Sequence, residues 1–119
     1  MSDNAKVYKK LHDALHGKKR CAIATIVNVN GSAYRKEGEK MYIDEDEKTV
    51  GMISGGCLEV DVIEIAKKVM TTNQPLLKKY NLDEDFMWGL GLGCPGEVEI
   101  YIESFNQSIL EVGEYQIGK

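Results

Sequence analysis

The sequence has no long apolar run. Its longest one, CAIATIVNV at residues 21 to 29, is far shorter than the roughly 20 residues that a membrane-spanning helix needs. The first twenty residues contain no apolar segment of the kind found in a signal peptide. These absences predict a cytoplasmic protein with no part in the membrane.

The low number of cysteines and the lack of excess positive charge each exclude a class of protein. Three cysteines, an odd number in a chain without a secretion signal, are poorly explained by disulfides, so free thiols are expected. Positive charge is not in excess, because 15 Lys and Arg residues stand against 19 Asp and Glu residues, for a net charge of -4. That balance argues against nucleic acid as a partner, and any anion must be bound locally.

The composition is typical of a globular protein. Of the 119 residues, 43% are hydrophobic, enough for a single domain over residues 1–119 with its own core. Periodicity predicts two helices and five strands. The helices are expected at 4–16 and 57–72, and the strands at 20–30, in a hairpin within 40–53, at 75–82 and at 97–104. The expected fold class is α+β or mixed α/β, with one mixed sheet flanked by the two helices. Residues 105–119 carry only a weak pattern.

Two of the strands have distinct patterns. The first, at 20–30, is apolar almost throughout, which is typical of a strand covered on both faces near the centre of a sheet. The last, at 97–104, alternates Val98, Ile100 and Ile102 with polar residues. This period of two predicts a strand with one face exposed.

A glycine-rich segment, GLGCPG at 91 to 96, matches the dinucleotide fingerprint GxGxxG. That fingerprint requires a strand before it and a helix after it. Here a strand pattern follows, and too little chain remains to complete the unit, so no Rossmann domain is expected. Gly91 and Gly93 can still bring the backbone close to a ligand or offer N–H groups to an anion. A tightly turned loop is the alternative.

The cysteines occur in three different settings. Cys57 follows Gly55 and Gly56 at the start of a predicted helix, where free N–H groups can lower a thiol pKa from about 8.5 towards 7. A buried packing role is the alternative. Cys94 lies in the second glycine segment, whereas Cys21 lies in an apolar strand and is assigned to the core. The hypothesis is that Cys57 and Cys94 face one cleft.

Two other groups of residues lead to predictions. Arg35 follows the presumed central strand, at a position where ligands often bind, and could hold a phosphate or carboxylate; the alternative is a solvated surface cation. His12 and His16 are four residues apart on the first helix, but HDALH lacks the glutamate of HExxH and no third ligand is evident. They are predicted to face solvent, and no metal site is expected.

The order of these segments is more specific than any one of them. GSAYR, VGMISGGCLEVDV, YNLDED and WGLGLGCPGEVEI follow one another between about residues 21 and 103. Together they resemble the XdhC/CoxI family, the accessory proteins of xanthine dehydrogenase and related molybdenum hydroxylases. The SGGCLE and WGLGLGC segments are distinctive as a pair.

The resemblance implies an accessory protein rather than an enzyme. Such a protein binds the molybdenum cofactor, a molybdopterin, supports its sulfuration and passes it to an apo molybdenum hydroxylase. It also implies a cysteine desulfurase as a further partner and leaves a homodimer open. The residues it assigns to the cofactor are Cys57, Cys94, Gly55, Gly56, Gly91, Gly93 and Arg35.

The sequence departs from the family pattern in two ways. Pro95 stands where members usually have a second glycine after the later cysteine, and it stiffens the loop. Larger members carry a C-terminal Rossmann-type domain that this chain lacks, so a separate protein with that domain is a further expected partner. Two alternatives therefore remain: a thiol redox or sulfur-transfer enzyme using Cys57 and Cys94, and an interaction module that binds no ligand.

Overall fold

The computed structural model describes residues 3–31, 36–54, 58–81 and 96–106. This part of the chain forms two helices and five strands. In order they are α1 (Asp3–His16), β1 (Cys21–Gly31), β2 (Lys40–Asp44), β3 (Thr49–Gly51), α2 (Glu59–Thr72), β4 (Leu76–Asn81) and β5 (Gly96–Phe105). The predicted two helices and five strands are therefore confirmed within the described residues.

The strands form one sheet in the order β3-β2-β1-β5-β4. Each of the four pairings between described strands is antiparallel, which identifies the α+β class. The sheet was expected to be mixed, and this detail is corrected. The reason lies in the connection through α2, which leads from β3 at one edge to β4 at the other edge, whereas a parallel pair needs a crossover between neighbouring strands.

The core has two layers because β1 sends side chains to both faces of the sheet. On one face Ala22, Ala24 and Ile26 pack with α2 and β5, and on the other Cys21 and Ile23 pack with α1. This explains the apolar run of the first strand and confirms its central position. Each valine, leucine, isoleucine or methionine side chain buried in these layers contributes about 1.5–3 kcal/mol.

The hairpin of β2 and β3 brings the sheet close to α1. Asp44 is buried, and its Oδ1 accepts the N–H groups of Asp46 at 2.9 Å and Lys48 at 3.0 Å, which fixes the acidic turn. Gly51 has a φ of 86°, and a Cβ there would lie 2.8 Å from Val7 Cγ2. Only glycine allows the helix to pack at this distance.

Helix α2 begins later than predicted. Its first backbone hydrogen bond runs from the Val62 N–H to the Leu58 carbonyl at 2.9 Å, so the helix starts at Glu59 rather than at residue 57. It ends at Thr72 and is capped by Asn73, which has a left-handed φ of 56°. Pro75 follows, as expected of a residue that cannot continue a helix.

Candidate functional site

The residues predicted to form the site lie outside the described residues. Arg35 falls in the range 32–35; Gly55, Gly56 and Cys57 fall in 55–57; Gly91, Gly93, Cys94 and the neighbouring Pro95 fall in 82–95. The residues that flank these three ranges are described, and they show where in the fold each range is attached.

Two of the ranges are attached at the same end of the sheet. Gly31, the last residue of β1, is paired with Gly96, the first residue of β5. Asn81, the last residue of β4, is paired with Glu97. Paired residues on neighbouring strands lie about 5 Å apart. The ends of three adjacent strands therefore lie together. Strand β1 leads into the range 32–35, β4 leads into the range 82–95, and that range leads into β5.

The start of α2 lies at this end as well. The Tyr80 hydroxyl, near the end of β4, donates a hydrogen bond to Asp61 Oδ2 in the first turn of α2. The other end of α2 lies at the opposite end of the sheet, since Arg20 donates to the Met70 carbonyl and precedes Cys21 at the start of β1. The range 55–57 therefore leads into the same end of the fold as the other two.

A group of hydrogen bonds, here called the Ser54–Glu59 clasp, joins the residues on either side of 55–57. Glu59 Oε2 accepts the N–H groups of Ile53 at 3.1 Å and Ser54 at 2.8 Å, and Glu59 Oε1 accepts the Ser54 hydroxyl. Ser54 Oγ in turn accepts the Leu58 N–H at 3.0 Å. Ser54 is only 5% exposed, so this network is largely shielded from water.

Sequence reasoning missed the clasp. The sequence signal for it is the pair of residues at the two ends of SGGCLE, a serine five residues before a glutamate. In the usual capping box this spacing is three residues. The wider spacing lets the pair span the three residues between Ser54 and Leu58. The clasp thus fixes both attachment points of the range that contains Cys57.

Five of the described carboxylates surround this end of the sheet, and each has a hydrogen-bond or ion-pair partner. Glu37 accepts the Val29 N–H at 3.0 Å, Glu99 accepts from Asn28 at 3.0 Å, and Glu97 lies 3.5 Å from Lys79 Nζ. Glu59 and Asp61 take part in the bonds described above. Within the described part of the chain, only Glu97 of these five is paired with a cation, and the other four accept hydrogen bonds from neutral groups.

Cys21 is not part of this end of the fold. It is buried in the α1 layer of the core, and burial, reinforced by the nearby Asp44 carboxylate, raises the pKa of its thiol to about 12. A thiol with so high a pKa is a poor nucleophile and metal ligand at neutral pH. Its predicted assignment to the core is confirmed.

The remaining predictions concern α1 and the glycine fingerprint. His12 and His16 are both exposed, which confirms that they face solvent. Among the described residues, no three His, Cys, Asp or Glu side chains are grouped to hold a metal ion. A strand begins at Gly96, where a dinucleotide-binding fingerprint would need a helix. Neither α1 nor α2 is long and apolar enough to cross a membrane.

Comparison with known proteins gives two curated relatives of different closeness. A Bacillus subtilis protein named as a probable subunit of xanthine dehydrogenase is 35% identical over 95 residues, which cover 78% of this chain and 29% of that protein. The molybdenum cofactor insertion chaperone PaoD of Escherichia coli is 25% identical over 107 residues, which cover 89% of this chain and 33% of PaoD. The chain thus spans about a third of the length of either relative.

A solved structure shares the fold. It is the crystal structure of a Bacillus halodurans protein described as a xanthine dehydrogenase, with a TM-score of 0.73 and 39% identity over 87% of this chain and 30% of that one. The model of the XdhC and CoxI family matches residues 14–81, more than half of the sequence. The matched residues include the Ser54–Glu59 clasp and the residues on both sides of the ranges 32–35 and 55–57. The match agrees with the resemblance found in the motifs. This chain belongs to the XdhC and CoxI family.

Proposed function

We propose that this protein is an accessory protein that binds the molybdenum cofactor and assists its sulfuration and its insertion into a xanthine dehydrogenase-type molybdenum hydroxylase. The observation that carries the proposal is the arrangement of strand ends. Gly31, Asn81 and Gly96, together with the start of α2, lie at one end of the sheet. The three ranges that contain the predicted cofactor residues are attached there. The names of the relatives point in the same direction.

Each proposed residue has a role suited to the chemistry of the cofactor, which is cargo in this function. The thiols of Cys57 and Cys94 supply soft ligands for a metal bound through sulfur. Gly55, Gly56, Gly91 and Gly93 let backbone N–H groups approach an anionic group closely. Arg35 supplies a planar cation for the phosphate of the pterin.

The proposed partners follow from the proposed function and from the family resemblance. An apo molybdenum hydroxylase receives the cofactor, and a cysteine desulfurase supplies sulfur. A separate protein with a Rossmann-type domain supplies what the larger family members carry in one chain, and a homodimer would bury the cofactor at an interface. The cytoplasmic location, where these partners would be met, stays a prediction.

A titration of the purified protein with molybdenum cofactor tests the proposal. Wild type is expected to bind the cofactor and to activate an apo-hydroxylase, and Cys57→Ala and Cys94→Ala are each expected to lose both properties. Cys21→Ala is the matched control, because it removes a thiol from the core and should leave binding intact. Failure of wild type to bind, or equal binding by all three variants, would overturn the proposal.

The thiol-enzyme alternative is separated from the proposal by the same proteins. A redox or sulfur-transfer enzyme requires a thiolate at Cys57 or Cys94 that accepts sulfur without the cofactor present. Persulfidation of these cysteines in cofactor-free protein, combined with no binding of the cofactor, would favour the enzyme.

A further inference from the structure

Helix α1 carries two imidazole rings that the proposed function does not use. His12 and His16 lie four residues apart, so they occupy the same face of the helix on successive turns. Their ring centroids are 4.2 Å apart, and the ring planes are tilted by 51°. The His12 side chain is 71% exposed and His16 is exposed as well, so both rings are open to ions in solution.

The carboxylate next to His12 is not hydrogen-bonded to its ring. Asp13 Oδ1 lies 3.8 Å from His12 Nδ1, which is beyond hydrogen-bond distance. Adjacent residues do not face each other on a helix, so this carboxylate acts on the ring only as a nearby negative charge. Such a charge favours the binding of a cation close to it.

We propose that His12 and His16 form a bidentate site for a late first-row divalent ion, Cu²⁺, Ni²⁺ or Zn²⁺. Imidazole nitrogen suits these ions, whereas Mg²⁺ and Ca²⁺ prefer oxygen. Two protein ligands leave coordination positions for water or for a side chain of a partner protein. In the part of the chain that the structure describes, no three His, Cys, Asp or Glu side chains are grouped to enclose a metal ion. The site proposed here needs only two protein ligands and is open to solvent on its other side.

The site is separate from the end of the sheet proposed for the cofactor. The rings lie in the second half of α1, which leads through Gly17 to the start of β1 at Cys21. The cofactor end lies at the other end of β1, at Gly31. Loss of one site should therefore leave the other intact.

Titration of untagged protein with NiCl₂ at pH 8, followed by calorimetry, tests the proposal, because imidazole must be neutral to bind a metal. Wild type is expected to bind one ion, and His16→Asn to lose more than about tenfold in affinity as one of two ligands disappears. Asp13→Asn should weaken binding by less than about fivefold, because charges this exposed interact weakly. The helix should remain folded in each variant, as circular dichroism can verify.

The sharpest control is an exchanged variant that keeps the number of histidines and changes their spacing. The double variant Asp13→His with His16→Asn has two histidines at adjacent positions, which do not face each other on a helix, and has no carboxylate at position 16. It is expected to bind as weakly as His16→Asn. A background with Cys57→Ser and Cys94→Ser excludes binding by thiolates and should retain the wild-type affinity. Binding by the exchanged variant as tight as wild type, or no binding by wild type, would overturn the site.

Discussion

At the scale of single residues, burial decides which of the three thiols can act. Cys21 lies in the core, and its neighbours include Tyr42, whose pKa is also raised by burial and by Asp44. The sequence predicted the inert role of Cys21 correctly, because an apolar strand has no partner for a thiolate. If any thiol of this protein is reactive, we expect it to be Cys57 or Cys94, and the role of each stays a prediction.

The raised pKa of Cys21 predicts a loss of stability in alkali. The thiol pKa is about 12 in the folded state and near the ordinary value of 9.0 when the chain is unfolded. Below pH 9 both states are protonated and the stabilising contribution is complete. Between these values the unfolded state releases its proton first, so the free energy of unfolding falls by up to about 1.4 kcal/mol per pH unit.

Urea unfolding of wild type and Cys21→Ala between pH 8 and pH 11.5 measures this slope. The variant is expected to start about 1 kcal/mol less stable, because a buried atom is lost, and to decline less steeply above pH 9. Tyr42 contributes a decline of the same sign in both proteins. Parallel curves would contradict the prediction.

At the scale of elements, contacts between distant residues decide what the sequence could not predict. The alternation of Val98, Ile100 and Ile102 gave β5 correctly because it is a local pattern. The order of the strands depends on pairings such as that of Gly31 with Gly96, which no local pattern specifies. The start of α2 was misplaced for a similar reason: the Ser54–Glu59 clasp crosses the glycines and fixes a later first turn.

The clasp predicts a specific weakness in the first turn of α2. Ser54→Ala removes a donor to Glu59 and leaves the Leu58 N–H without this acceptor in a buried place. We expect a loss of about 1–3 kcal/mol in the free energy of unfolding. Amide hydrogen exchange should accelerate most at Leu58.

Ser104→Ala is the matched control for this prediction. Ser104 makes a solvent-exposed hydrogen bond of 3.3 Å to Asn73, so its loss should cost less than about 0.5 kcal/mol. Glu59→Gln supplies a second test, since it keeps the shape of the side chain but weakens charge-assisted bonds. Unchanged exchange at Leu58 in both clasp variants would show that the clasp does not hold the turn.

At the scale of the whole molecule, the two layers of the core share β1. The α1 layer contains Val7 and the α2 layer contains Val62, and both residues are fully buried. Both helices pack against side chains of the same central strand. Neither helix is therefore stabilised independently of the other. The domain should therefore unfold as one cooperative unit.

Substitution in each layer tests this cooperativity. Val7→Ala and Val62→Ala should each cost roughly 2 kcal/mol. Since the two sites are on opposite faces, the double variant should show the sum within about 0.5 kcal/mol. Val60→Ala is the control, because Val60 is 76% exposed on the same helix as Val62 and should change stability little. Separate transitions for α1 and α2, followed by amide exchange, would contradict the prediction.

The antiparallel pairing of Asn81 with Glu97 bears on how such a protein can diversify. Because neighbouring strands deliver both ends of the intervening chain side by side, residues can be inserted or deleted between them without a change of strand register. The core clusters described on the two faces of the sheet need not change when this happens. Sequence change can thus accumulate between β4 and β5, at one end of the sheet, while selection for folding acts on the rest of the domain.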